Sequence, residues 1–471
     1  MPATKPLNVN NVQGDILFSG LPKLNESFFF FKIEDARVRD FCQALRQVTK
    51  ELSASNDTTQ ARSDIQSARK EDTNAVVKFA GANIAFTMKG LQQMKKALPH
   101  LNLKTNEIAF EEGMKVGAGN LHDPFKAGTT EPAYEAPWSK PESIHGLILV
   151  AGSDPDTVKT KLQRVQSIFN FPTGKGPAMV SEVTTIKGKV RPGEHKGHEH
   201  FGFEDGISQP AVQGVDRNVP PGQDTVSQGV ILCGREGDFQ QRPDWMVDGS
   251  FLVFRKLAQK VPEWNQFLVD ASNTLGTWSG QLGSRLVGRW PSGCPINLSP
   301  DFDNVALGKD PLQNNKFEFD DVGDNFKCPM GAHIRKTNPR GDLSRGTVNQ
   351  FRILRRGIPF GEEVDVDPKG ERGLLFVCYQ SQIGNGFQFI QQTWANQPTF
   401  FSDGAGLDAI MGQSNTEKTV DMKGLFPQDA NRPLPLNGIN RFVIPKGGEY
   451  FFSPSIPALN TALSDVAKTD L

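Results

Sequence analysis

The two halves of the chain repeat one order of secondary-structure patterns, and this repeat limits the folds open to it. The first half has strand-like apolar runs over 28–33, 76–80, 84–87, 147–150 and 181–190, and amphipathic helical stretches over 38–48 and from 153 to 169. The second half gives strand, helix, two strands, helix and strand over 251–254, 262–271, 350–354, 374–377, 387–394 and 450–452. Strand, helix, two strands, helix, strand is the split βαβ order, in which helices cover an antiparallel sheet. The pattern predicts an α+β fold of two ferredoxin-like units.

The length of the chain agrees with two units. A chain of 471 residues is too long for one ordinary hydrophobic core. We therefore expect an N-terminal ferredoxin-like domain over 1–208 and a C-terminal one over 229–471. The stretch 209–228 is rich in Gly and Pro, which predicts a linker between them.

Charge and cysteine content exclude several classes of function. The chain has 52 Lys and Arg against 53 Asp and Glu, so its balance gives no support for a nucleic acid or an anionic membrane as the main partner. No apolar run approaches the roughly 20 residues of a membrane span, and the supplied start lacks the apolar core of a signal peptide. Five scattered cysteines without a CxxC pair argue against a disulfide framework and against a zinc or iron–sulfur site. Compartment and oligomeric state stay open.

An acidic turn, Gly202–Pro210, is the first segment that suggests chemistry. Glycines flank Asp205 and a proline ends the turn. Glycine lets the backbone approach a ligand closely, and an acid held there could act as a general acid and base. An isolated turn of this kind is more often only a turn.

A basic segment, Cys328–Arg340, is the second. His333, one of seven histidines, follows Gly331 and Ala332. Imidazole is a common axial ligand of haem iron, and Arg335 and Arg340 could pair with haem propionates because guanidinium matches carboxylate. A single histidine is more often a core or surface residue, so the pattern alone leaves both interpretations open.

Two further segments complete the set. Arg355 and Arg356 follow a predicted strand, and strand alternation sends them to opposite faces, so at most one can enter a pocket. The apolar stretches 374–380 and 386–394 are typical of core on pattern alone.

These four segments, in this order, resemble the hallmarks of the dye-decolorizing peroxidase family, as does the opening Asn11–Leu17. The resemblance covers nearly the whole chain. It implies two ferredoxin-like units in a dimeric α+β barrel-type fold around one haem b, with most ligands from the second unit. It also implies reduction of hydrogen peroxide and oxidation of bulky aromatic molecules such as dyes and phenolics. Many relatives are secreted, so an extracellular location is plausible.

The resemblance also implies roles for single residues at the cofactor. His333 would be the axial ligand, with Asp408 rather than the nearby Asp403 as the partner of its other nitrogen. Asp205 would move the proton of peroxide, and Arg355 would stabilise the charge that develops as the O–O bond breaks.

Substrate access and long-range oxidation follow in the same way. Leu374 and Phe376 would cover the pocket and admit peroxide but not a dye. Dyes would then be oxidised at the surface, at Trp394 first and Tyr379 second, while Phe360 removes one possible redox side chain. Simple packing is an equal alternative for Trp394.

Two rival functions and two weaker sites remain. A haem carrier or iron-retrieval protein on this fold would need His333 but not the Asp205–Arg355 pair, and an interaction protein would hold no haem. His195, His198 and His200 lie close in sequence, but a solvated loop explains them better than a metal site. Four acidic residues could bind Mn²⁺, but a solvated acidic face explains them better: Glu362, Glu363, Asp365 and Asp367.

Overall fold

The computed structural model describes residues 6–72, 75–172, 174, 176–319, 325–414, 420–426, 429, 431–432, 434–436 and 442–466. The strands of the first half are β1 Asn25–Ile33, β2 Ala80–Phe86, β3 Gly146–Gly152 and β4 Val180–Lys189, followed by the short β5 Ala211–Val212 and β6 Thr225–Val226. Those of the second half are β7 Ser250–Gln259, β8 Leu354–Arg355, β9 Ile358–Phe360, β10 Gly373–Gln380, β11 Val420–Met422, β12 Leu434–Leu436 and β13 Val443–Ser453.

Helices connect these strands. They are α1 Val38–Val48, α2 Ser55–Glu71, α3 Met88–Lys95, α4 Ile108–Glu112, α5 Pro155–Ile168, α6 Gln228–Ile231, α7 Val261–Leu275, α8 Ser279–Val287, α9 Val305–Lys309, α10 His333–Thr337, α11 Arg345–Asn349 and α12 Ile456–Asn460. Two π-helical segments cover Gly384–Gln388 and Ile390–Ala395. Short 3-10 helices lie at Val9–Asn11, Asp35–Arg37, Val116–Ala118, Pro141–Ser143, Gly193–His195 and Asp244–Met246. None of the described helices is both long and apolar enough to cross a membrane.

One mainly antiparallel sheet carries both units. Its strand order is β4-β1-β3-β2-β13-β7-β10-β8, with β9 also paired to β10. Within the first unit, the strand that is fourth along the chain lies beside the first, followed by the third and the second. The second unit repeats this order with β13, β7, β10 and β8. The units join where Phe452 of β13 pairs with Phe86 of β2. The α+β class and the repeated ferredoxin-like order are confirmed.

The sheet does not close into a barrel by hydrogen bonding. Among the described strands, no ladder connects β4 at one edge to β8 or β9 at the other. The edges still meet, because Gly188 of β4 lies against Ile358 and Pro359 of β9, where a Cβ atom would clash. Glycine thus permits the close approach of the two edges.

Four consecutive phenylalanines in β1 place core on both faces of the sheet. Phe29 and Phe31 lie in one buried cluster with Phe41 of α1 and with Phe169, the residue directly after α5. The alternate residues Phe28 and Phe30 point to the other face, where their rings lie 5.1 and 5.0 Å from that of Phe254 in the second unit. Strand alternation gives β1 these two buried faces.

Several predicted boundaries need correction. The run 350–354 is not a strand, because α11 ends at Asn349 and β8 begins only at Leu354. Of the two short strands expected over 76–87, only the second is present, as β2, and residues 76–79 form no strand. The helix expected over 387–394 has π-helical geometry.

The segment 209–228 is packed against the fold. Its strands β5 and β6 pair in parallel, and Val212, Val215 and Val226 are buried in the core between the units. Pro and Gly mark turns in this segment and do not make it a free linker. The five cysteines are all buried and free.

Candidate active site

A large cavity opens over the sheet of the second unit. It has a volume of about 1720 Å³, counted with its opening to solvent. Strands β7 and β10, helix α10 and the turn around Asp205 contribute to its wall. His333, Asp205 and Arg355, predicted from three separate segments, all line this one space.

His333, the first residue of α10, is held by a buried carboxylate. Its Nδ1 lies 2.8 Å from Asp408 Oδ2, and Asp408 is fully buried. The other oxygen of Asp408 accepts the backbone N–H groups of Ile410 and Met411. This arrangement leaves Nε2 of His333 without a partner in the described structure. Asp403 is exposed and takes no part.

The charge on Asp408 also governs protonation of His333. Burial alone would lower the pKa of the imidazole, but the charge of Asp408 and its hydrogen bond outweigh burial and raise the pKa. A carboxylate partner fixes ring orientation and makes the free nitrogen a stronger ligand.

Asp205 and Arg355 form an ion pair in the same cavity. Arg355 Nη1 donates to Asp205 Oδ1 over 2.6 Å, and the N–H of Gly206 donates to the same oxygen over 2.6 Å. Gly202 and Gly206 have φ values of +96° and +85°, which favour glycine and make the turn possible. The side chain of Asp205 is 37% accessible, because it faces the cavity.

The pKa of Asp205 is lowered from its usual value of 3.8. Shielding from bulk water would raise this pKa, but the charge of Arg355 and the hydrogen bonds from Arg355 and Gly206 have the larger combined effect. The carboxyl group is therefore ionised at mildly acidic pH and can accept a proton.

The neighbouring arginine points the other way, as strand alternation predicts. Arg356 is buried and donates to the carbonyl oxygens of Asp15, Ile16 and Phe18 at 2.8–3.0 Å. It therefore holds the amino-terminal segment, and Arg355 enters the cavity.

Of the two arginines predicted for propionates, the structure supports one. Arg340 lines the cavity. Arg335 does not, because it forms a two-point ion pair with Asp342 at 2.8 and 2.7 Å and packs over the Phe319 ring. The structure gives no support to the prediction for Arg335, because its charge is already neutralised inside the protein.

Sequence reasoning missed three other cavity arginines: Arg255, which is paired with Asp123, and Arg289 and Arg352. Burial lowers the pKa of Arg289 to about 9, and that of Arg340 and Arg352 to about 10, each from 12.5. In the described structure none of Arg289, Arg340 and Arg352 has a carboxylate within ion-pair distance, and the Arg352 guanidinium makes no hydrogen bond. Buried cations without counter-ions are costly. They therefore indicate a site for an anionic group such as a haem carboxylate.

Leu374 and Phe376 lie on the strand face that meets the cavity. Both line it, whereas the alternate residues Leu375 and Val377 are fully buried on the other face. The Phe376 ring lies 6.0 Å from that of Phe387, also a lining residue. Both side chains therefore present apolar surface to the cavity.

The predicted surface redox sites are not at the surface. Trp394 is 2% exposed, with rings of Phe351, Phe389 and Phe400 about it at 5.4–5.5 Å. Tyr379 is fully buried, and its hydroxyl donates to Asp15 over 3.1 Å. The expectation of an exposed site fails because distant segments cover both side chains. Phe360 is also buried.

The weaker metal sites find no support. Within the described residues, no group of three or more His, Cys, Asp or Glu side chains is placed to hold a metal ion. His200 is buried against the carbonyl oxygen of Phe360 at 2.9 Å. Glu363 instead forms a two-point ion pair with Arg191, and Glu362 pairs with Lys189.

Comparison with known proteins agrees with this geometry. A family model described as the DyP dimeric alpha+beta barrel domain matches residues 11–192, and the model of the C-terminal part of Dyp-type peroxidases matches residues 198–400. The dye-decolorizing peroxidase msp1 of Mycetinis scorodonius is 39% identical, over 97% of this chain and 88% of that protein.

Solved structures give the same result. An ancestral D-type dye decolorizing peroxidase superposes with a TM-score of 0.88 at 45% identity, over 98% of this chain and all of that one. A dye-decolorizing peroxidase in complex with 2,6-dimethoxyphenol superposes with a TM-score of 0.82 at 38% identity, over 97% of this chain and all of that one.

Fold and site together define a haem peroxidase. The chain belongs to the dye-decolorizing peroxidase family.

Proposed function

We propose that the cavity binds one haem b per chain, with His333 Nε2 as the nitrogen that would hold its iron. The observation that carries this proposal is the shared cavity, which brings together the Asp408-bound imidazole and the Asp205–Arg355 ion pair. A haem carrier would need only the first of these pairs. An acid–guanidinium pair facing the same space favours the enzyme over the carrier.

Arg289, Arg340 and Arg352 are the proposed partners of the haem propionates. All three are buried at the cavity wall without a carboxylate partner. An anionic cofactor would supply the missing countercharge, and guanidinium groups suit carboxylates because they can donate two parallel hydrogen bonds. Arg335 is not proposed for this role, because it already pairs with Asp342.

Bound haem iron supplies the redox chemistry by which the O–O bond of peroxide is reduced. Ionised Asp205 accepts a proton from one peroxide oxygen and returns it to the other, which leaves as water. Such proton transfer contributes roughly 10²–10⁴-fold. Arg355 stabilises negative charge on the departing oxygen and keeps Asp205 ionised at low pH.

The cavity wall selects among substrates. Leu374 and Phe376 present apolar surface beside Arg355. Hydrogen peroxide, which is small and polar, is the substrate of this inner space. Aromatic molecules such as phenolics are the reductants, and those too large for the inner space react at a distance from it.

Rapid mixing with hydrogen peroxide tests these roles. Asp205→Asn keeps the shape of the side chain but removes the base, so the reaction with peroxide should slow by roughly 10²–10⁴-fold. Asp403→Asn is the matched control, since Asp403 is exposed, and should react as fast as the unchanged protein. A fast reaction in Asp205→Asn, with the haem absorption intact, would refute the role of Asp205.

A further inference from the structure

Trp278 differs from every other tryptophan of the chain in its exposure to solvent. All six tryptophans lie in described residues, and 53% of Trp278 is accessible. The other five are at most 8% exposed: Trp138, Trp245, Trp264, Trp290 and Trp394. An exposed indole is the most readily oxidised kind of side chain that a large aromatic molecule could touch directly on this surface.

The exposed indole is stacked on a buried one. The ring centroids of Trp278 and Trp290 are 5.4 Å apart, and their planes make an angle of 23°. Trp290 is 1% exposed, and its Nε1 donates to the carbonyl oxygen of Ser299 over 2.7 Å. Gly280 lets the Trp278 ring lie over the first turn of α8, because a Cβ atom there would clash with it. The two indoles therefore form one continuous π contact from solvent to the interior, called here the tryptophan pair.

The inner member of the pair adjoins the cavity through its chain neighbours. Arg289, directly before Trp290, lines the cavity. The carbonyl oxygen of Pro291, directly after it, accepts the backbone N–H of Glu204 over 3.1 Å, and Glu204 precedes Asp205 in the cavity wall. A path from solvent to Asp205 therefore passes through two stacked rings, the backbone from Trp290 to Pro291, one hydrogen bond and the backbone of Glu204.

The inner indole also packs in the core next to the segment that carries His333. Trp290 shares a buried cluster with Ala332, the residue before His333. This packing gives the tryptophan pair a second short connection to the cavity.

Exposed apolar side chains lie in the segment that is hydrogen-bonded to the inner indole. Phe302 and Leu298 are 63% and 42% exposed. Ser299 ties their segment to the pair, because its hydroxyl donates to the carbonyl oxygen of Phe302 and its own carbonyl oxygen accepts from Trp290. Grouped exposed apolar side chains mark sites that bind ligands or partners, and flat aromatic molecules stack on such rings.

We propose that the tryptophan pair is the site where this protein oxidises electron-rich aromatic molecules too large for the cavity. A phenol or aryl amine docks on Trp278 and loses one electron, and a phenol also releases its proton to water. The electron passes through Trp278 and Trp290 to the centre that peroxide has oxidised, so two such events balance the reduction of one peroxide to two waters. This inference rests on the proposed peroxide chemistry of the cavity and adds the place where large reductants are oxidised.

Phenylalanine substitutions separate electron transfer from binding. Trp278→Phe and Trp290→Phe keep an aromatic ring but remove the oxidisable indole. Each should lower kcat for a bulky anthraquinone dye at least tenfold, with a smaller change in KM, while the reaction with peroxide alone keeps its rate. Trp245→Phe is the matched control, since Trp245 is nearly buried and bonds the carbonyl oxygen of Asn102 elsewhere in the fold, and it should leave dye oxidation unchanged.

A second readout locates the radical itself. The protein is treated with peroxide and a spin trap without any reductant and is then digested for mass spectrometry. We expect the adduct on Trp278, and its loss in Trp290→Phe. Unchanged dye turnover in Trp278→Phe, or an adduct on Trp394 and none on Trp278, would overturn the assignment. Failure of the cavity chemistry looks different, because the unchanged protein would then not react with peroxide at all.

Discussion

The two ferredoxin-like units share one strand order but differ in what covers the same face of the sheet. In the first unit, Phe29 and Phe31 are fully buried beneath α1 and α5. In the second, the strand residues Leu374 and Phe376 line a cavity together with Arg255. The same strand order therefore gives a hydrophobic core where helices pack directly on the strands. It gives a cavity where the residues above the strands leave a space lined by charged side chains.

Substituting one phenylalanine in each unit tests this difference most strongly. Phe31→Ala should destabilise the apoprotein by about 3–5 kcal/mol, because Phe31 packs against Phe41, Phe86 and Phe169. Phe376→Ala should cost about 1 kcal/mol, because its ring is only partly buried at the cavity wall. Urea denaturation followed by circular dichroism measures both. Equal losses would mean that the cavity face is packed as a core.

The His333–Asp408 pair gives the next largest expected effect. Asp408→Asn removes the anion at Nδ1, so the bound cofactor should be released roughly 10–100-fold more readily. Transfer of haem to an acceptor protein measures this rate. Asp403→Asn serves as the control and should behave as the unchanged protein. If the two substitutions have the same effect, Asp408 does not support the ligand.

Substitution of Arg352 should have opposite effects on the stability of the apoprotein and on haem binding. Arg352→Met replaces a buried cation without a counter-ion, so the apoprotein should gain about 1–3 kcal/mol. The same change should weaken haem binding, because a propionate loses its partner. Thermal unfolding of the apoprotein and haem titration make the two measurements. A loss of apoprotein stability would show that Arg352 has a structural role.

The smallest expected effect is a shift in pH dependence. In the unchanged protein Arg355 keeps the pKa of Asp205 below 3.8, so the rate with peroxide should fall only as pH drops below that value. In Arg355→Leu the effect of burial is no longer opposed by this cation. The pKa should then rise, and the acid limb should move to higher pH. Profiles of kcat/KM from about pH 3 to pH 7 measure the limb. An unshifted limb would mean that another group titrates.

Local patterns in the sequence were sufficient for the repeated strand and helix order. The alternation in β1 and the spacing in α1 depend on near neighbours, and both elements lie close to where the pattern predicts them. The run 350–354 was misassigned, because a turn after α11 and tertiary pairing decide where β8 begins.

The sequence predicted site residues only where they lie in a recognisable segment. His333, Asp205 and Arg355 lie in such segments. Arg289 and Arg352 are ordinary arginines in the sequence, and only the tertiary fold buries them at one cavity. The tertiary fold also decides which tryptophan is exposed. Phe351, distant in sequence, helps to bury Trp394, while Trp278 stays exposed.

Titration of the purified apoprotein with haem tests the central claim most directly. We predict a Soret absorption band that saturates at one haem per chain, and a spectrum altered in His333→Ala in the way expected for loss of an imidazole ligand. Absence of the band in the unchanged protein, or an identical spectrum in His333→Ala, would contradict the assignment of the cavity as a haem site.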